Sequence, residues 1–162
     1  MHKYDPAIPA NIIHQTQNHK ESCWATCAAM VSGVSKLQLE DELTSMGVNP
    51  NAHLLLENLE RVLAHHKILL RSTHMSVMQS PPGLFIVSVP YIGTERIRFN
   101  VHAIVVDTRK GKIEVYDPLK GFPSMPPSRR YASYASDATV EFNLSQLTYG
   151  IWRCVDCNIG TP

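Results

Sequence analysis

The stretch from Cys23 to Val31, Cys-Trp-Ala-Thr-Cys-Ala-Ala-Met-Val, constrains the fold more than any other part of the chain. It carries no charge, no proline and no glycine, and its small and apolar residues favour a helix. A helix that is apolar on every side has to be buried. The rest of the chain must therefore supply layers around it. Gly33 is the natural stop for this helix and Ser22 the natural N-cap. Ahead of it runs Gln17-Asn18-His19-Lys20-Glu21-Ser22, so a thiol stands at the helix head with a side-chain amide shortly before it. That placement suits a nucleophile. The thiolate attacks, not the thiol, and the positive end of a helix favours the charged form. Gln17 and the Cys23 N–H can together hold the oxyanion that forms when a carbonyl is attacked.

The remaining sequence has the size and composition to bury such a helix. A chain of 162 residues, 44% of them hydrophobic, is expected to form a single domain over 1–162 with an ordinary core. A net charge of +1 does not indicate a nucleic-acid or acidic-membrane partner. The four cysteines fall into two pairs, Cys23 with Cys27 and Cys154 with Cys157, which is not a disulfide scaffold. It favours a reducing compartment or a specific chemical use. The opening Met-His-Lys-Tyr-Asp-Pro lacks the apolar core of a Sec signal peptide. No apolar run approaches the roughly 18 residues of a membrane span.

Pro6 and Pro9 make residues 1–16 an extended arm. Ser35-Lys36-Leu37-Gln38 is a weak capping box for a second helix that stops near Gly47. Leu55, Leu56, Leu59, Val62 and Leu63 give helical spacing to a third helix over 52–65. The period then changes. Strands are expected at 68–71, 84–89, 101–108, 112–116, 139–142 and 151–157. The segment 121–136 reads as a long loop, and 143–147 as one helical turn. Helices first and strands second give an α+β domain with the first helix packed on an antiparallel sheet.

A thiolate nucleophile needs a proton carrier. Of eight histidines, His2 and His14 belong to the arm, His53, His65 and His66 to the third helix, and His74 to a connector. His19 is a rival because it lies close to Cys23 in sequence. His102 is the choice, because a histidine opening the apolar strand Val101-His102-Ala103-Ile104-Val105-Val106 is odd for packing alone. A carboxylate can fix its tautomer and stabilise its charged form. Asp117, at the end of the next strand, is placed to do so. With Arg109-Lys110 as the hairpin loop, His102 and Asp117 face each other directly. With Lys110-Gly111, Asp117 faces Ile104 and lies diagonal to His102 on the same face. A three-residue loop separates them.

Gln17, Cys23-Trp24, His102-Ala103 and Asp117-Pro118 together resemble papain-like cysteine proteases. Where plant and lysosomal members carry Cys-Gly-Ser-Cys-Trp, this chain has Lys20-Glu21-Ser22-Cys23-Trp24. It is more similar to small bacterial members, among them effectors, contact-delivered toxin domains and peptidase domains that trim bacteriocin leaders. The resemblance implies N-terminal helices with a central catalytic helix on a C-terminal antiparallel sheet. It implies a cysteine endopeptidase with catalytic Cys23, His102 and Asp117, Gln17 in the oxyanion hole, and Trp24 as a packing anchor. It implies no metal and no organic cofactor. It further implies a protein substrate, action as a secreted or contact-delivered effector in a target-cell cytoplasm, and a cognate immunity protein.

Two other functions use the same residues differently. A Cys-His-Asp site also runs deamidation, transglutamination and amide hydrolysis through an acyl-enzyme. Cys23, Cys27, Cys154 and Cys157 supply the ligand count of a structural zinc site. Against zinc, Cys27 sits in an apolar helical run and reads as a small buried residue. Cys154 and Cys157 fall in opposite phase on a strand, one buried and one exposed.

Overall fold

A computed structural model of the chain describes residues 5–19, 21–73, 81–90, 101–119 and 150–159. Three helices come first, α1 (Cys23–Ser32), α2 (Lys36–Ser45) and α3 (Leu56–His65). Five strands follow, β1 (Ile68–Ser72), β2 (Leu84–Pro90), β3 (Val101–Asp107), β4 (Glu114–Tyr116) and β5 (Gly150–Asp156). The strands form one sheet in the order β1-β5-β2-β3-β4, with every neighbouring pair antiparallel. The expected strand at 139–142, the helical turn at 143–147 and the loop at 121–136 lie outside the described residues.

Helix α1 is the centre of the molecule. Every residue from Cys23 to Val31 is buried. The helix lies against β3 and shares a core with Ala103 and Val105 on that strand. Leu39 and Leu43 of α2 and Leu59, Val62 and Leu63 of α3 close the same core. The alternate strand residues Phe85, Val87, Ile104, Val106 and Ile151 form a second apolar cluster, as the two-residue period of a strand requires. Each fully buried leucine contributes about 1.5–3 kcal/mol. Gly33 ends α1 at φ +72°, a left-handed position that glycine takes without penalty.

Three local expectations need correction. Helix α3 starts at Leu56, not at 52, and Leu55 and Leu56 are exposed. No side chain caps it, and the Leu55 position is extended. Ser22 does not cap α1. Its hydroxyl bonds backward, donating to the His19 carbonyl at 2.9 Å and accepting the His19 N–H at 3.1 Å. The fourth strand begins at Glu114, so Lys112 and Ile113 belong to the hairpin loop. By contrast, Ser35 does cap α2, accepting the Gln38 N–H at 3.1 Å.

The arm carries no helix or strand over 5–19 and is pinned along its length. Ile8 and Ile12 are buried. The Ile8 N–H donates to Asp156 Oδ2 at 2.9 Å, and Arg109 Nη1 donates to the Pro9 carbonyl at 2.9 Å. The Gln15 amide donates to the Val34 carbonyl at 2.8 Å while its oxygen accepts the Lys36 N–H at 2.7 Å.

Candidate active site

Cys23 is the first residue of α1, and His102 the second of β3. Asp117 follows the last residue of β4, and Gln17 ends the arm. All four are buried, Cys23 retaining 5% of its surface and His102 3%. The fold brings Cys23 from the first half of the chain to His102 and Asp117 from the second.

His102 Nε2 lies 2.7 Å from Asp117 Oδ1. That oxygen also accepts the Leu119 N–H at 2.9 Å. A carboxylate oxygen between two N–H groups cannot donate back, so Nε2 carries the hydrogen. Nδ1 is the nitrogen left for sulfur, and the Cys23 side chain hydrogen-bonds to the ring. Burial alone would push the imidazole pKa down. The hydrogen bonds to Asp117 and Cys23 and their negative charges outweigh it, raising the pKa to about 9. The shift is toward the protonated ring, which stands beside the sulfur.

The hairpin reaches this arrangement by the diagonal register. Val105 pairs with Tyr116 and Val106 with Val115, which carries Asp117 opposite Ile104 one step beyond the ladder. Direct pairing of His102 with Asp117 does not occur. A turn runs from the Thr108 carbonyl to the Gly111 N–H, with Gly111 at φ +85°. The two extra residues, Lys112 and Ile113, shift the register away from the Arg109-Lys110 solution.

Gln17 is held from both ends. Its N–H donates to the Pro118 carbonyl at 2.8 Å, and its side-chain amide donates one hydrogen to the His19 carbonyl at 2.8 Å. Because the Ser22 hydroxyl points backward, it takes no N–H from the first turn of α1. His19, the rival base, uses Nδ1 to accept the Glu21 N–H at 3.3 Å.

Sequence reasoning missed two neighbours. Trp152 on β5 packs edge-on against Trp24, with ring centroids 5.8 Å apart. His14 puts Nε2 2.7 Å from the Asp117 carbonyl. Trp152 lies far from Trp24 in sequence, and His14, although close to Gln17, meets a partner 103 positions away, so no local pattern marks either contact. Among the described residues, Gln17 Oε1, Trp24 Nε1 and Asp117 Oδ2, together with Glu40 Oε2 and Glu114 Oε1, are buried polar atoms without a hydrogen-bond partner. Unpaired buried polar atoms are rare in folded proteins.

The other thiols do not share this setting. Burial pushes the Cys27 thiol well above its ordinary value and that of Cys154 to about 12. Cys157 is exposed. Among the described residues, no three His, Cys, Asp or Glu side chains cluster as metal ligands. The thiols are thus spread between core and surface and do not meet as a tetrahedral set.

No family model and no curated protein matches the chain. Four solved chains match it in structure. One is a double glycine motif protease from an AMS/PCAT transporter, solved in complex with the leader peptide. It is 20% identical, with a TM-score of 0.53 over 91% of this chain and 94% of its own. The fold is papain-like. At this identity the likeness is one of fold. The papain-like order of helices before an antiparallel sheet is the order expected from the sequence. No described helix is long and apolar enough to cross a membrane.

Proposed function

We propose that the protein is a cysteine peptidase. One observation carries the reading. His102 is bonded through Nε2 to Asp117 and also bonded to a cysteine at a helix N-terminus. In the first half-reaction the Cys23 thiolate attacks a peptide carbonyl carbon. Gln17 Nε2 and the Cys23 N–H receive the oxyanion. The carbon–nitrogen bond breaks as His102 Nδ1–H gives its proton to the leaving amine. His102, now neutral, takes a proton from water, whose oxygen attacks the thioester. The carboxylic acid leaves and the thiolate returns. Asp117 orients the ring throughout. Cys23 is buried, so a substrate must open a groove to the sulfur as it enters.

The shared fold with a protease bound to a leader peptide supports an extended peptide as substrate. Resemblance to small bacterial papain-like proteases supports the finer reading. The chain then acts as a single catalytic domain, delivered into a target-cell cytoplasm and restrained by an immunity protein that plugs the groove. The test is an N-terminal peptide survey of cells making either the wild type or Cys23→Ala. New N-termini should appear only with the wild type. Equal cleavage by Cys23→Ala would end the assignment.

A second reading keeps the triad and changes the amide attacked from a peptide bond to a side-chain amide, with ammonia as the leaving group. Transfer of the acyl group to water or an amine from a glutamine side chain gives deamidation or crosslinking. It is separated by intact-mass analysis, since deamidation adds about one mass unit without new termini and crosslinking joins chains.

A further inference from the structure

Asp117 stands just outside the sheet. Strand β4 stops at Tyr116, so the hydrogen-bond ladder does not hold the Asp117 carbonyl. The next residue, Pro118, has no N–H to fix the chain. The Leu119 N–H holds Oδ1 locally, and the Asp117 and Pro118 carbonyls are held by donors from elsewhere. The arm supplies two. His14 Nε2 lies 2.7 Å from the Asp117 carbonyl, and the Gln17 N–H donates to the Pro118 carbonyl at 2.8 Å. A carbonyl only accepts, so His14 carries its hydrogen on Nε2. The arm itself is anchored at Gln15, between the Val34 carbonyl and the Lys36 N–H.

We propose that His14 is a positioning residue, whose ring holds the Asp117 backbone and so keeps the carboxylate on His102. The same short segment also carries Gln17, so the arm sets both the acid that orients the base and the amide that meets the oxyanion. This rests on the peptidase reading of Cys23 and His102.

The experiment is designed to separate the two ideas. The rate of Cys23 alkylation by iodoacetamide is measured against pH in the wild type, His102→Ala, His14→Ala and His14→Gln. This needs no substrate. Thermal melting of each variant checks folding. His102→Ala should shift the onset of alkylation to higher pH. His14→Ala should shift it the same way by a smaller amount, slowing alkylation about threefold to tenfold near pH 6. Glutamine places an amide donor near the same point, so His14→Gln should recover most of the rate. Equal profiles for His14→Ala and the wild type, with His102→Ala shifted, overturn the inference and leave the peptidase reading standing. An equal loss in His14→Ala and His14→Gln also overturns it, since the hydrogen bond is then not what matters. If His102→Ala matches the wild type, the peptidase reading fails and the inference falls with it.

Discussion

Asp117 and His102 are diagonal partners, not directly facing ones. Asp117 aligns with Ile104, and its Oδ1 reaches the His102 ring at 2.7 Å along one sheet face. The carboxylate holds the ring through this bond. On the proposed peptidase mechanism His102→Ala removes the proton carrier and should lower kcat by on the order of a thousandfold. Asp117→Ala should cost about tenfold to a hundredfold, because the ring keeps its bond to Cys23. Turnover of one peptide by both variants checks the ranking. A larger loss in Asp117→Ala would mean the carboxylate does more than orient.

The His102 environment also makes stability depend on pH. Its folded pKa is raised from 6.5 to about 9, chiefly against the opposing effect of burial, by Asp117 and Cys23. A raised pKa means that the folded state binds the proton more tightly than the unfolded chain. The resulting stabilisation is complete below about pH 6.5 and is lost as pH rises through about 9. Melting temperature of the wild type should therefore fall more steeply than that of Asp117→Asn across this window. Parallel curves would show that the pair contributes nothing to folding.

Much of this site was legible because its parts sit in strongly patterned segments. The uncharged run after Cys23 allowed only a buried helix, and the alternation around His102 marked a strand. What the sequence left open was geometry decided by single hydrogen bonds. Ser22 has the chemistry of a cap, yet its hydroxyl closes the loop onto His19 instead. The hairpin allowed two registers on the correct side. Lys112 and Ile113, both fit for a strand, were drawn into the loop and selected the diagonal one. His14 looked bland because its partner is over a hundred positions away.

Lys67 follows the end of α3 in a left-handed conformation, at φ 63°. Its N–H bonds to the Ala64 carbonyl and its carbonyl accepts the Cys157 N–H, both through backbone. A side chain with a Cβ is strained there, whereas glycine is not. Lys67→Gly should leave both hydrogen bonds intact and stabilise the protein by up to about 1 kcal/mol. That gain is the net of relieved strain and a freer unfolded chain. Chemical denaturation reads it as a higher midpoint at unchanged slope.

Glu42 and His66 join α2 to the end of α3, with Nε2 and Oε1 2.5 Å apart. Burial alone would raise the Glu42 pKa. Hydrogen bonds from His66 and Gln38 outweigh it and hold the carboxyl below its ordinary 4.5. A depressed carboxyl pKa gives stability that is present above about pH 4.5 and lost as pH falls through the folded value. The pair is partly solvated, with side chains 17% and 22% exposed. Its contribution should accordingly stay near the surface range of about 0.2–1 kcal/mol. That corresponds to a melting shift of no more than about 2–4 °C. Glu42→Gln should melt below the wild type at pH 6, and the gap should close as the pH is taken below 4.5. A gap that persists in acid would mean that α2 and α3 are joined there by packing alone.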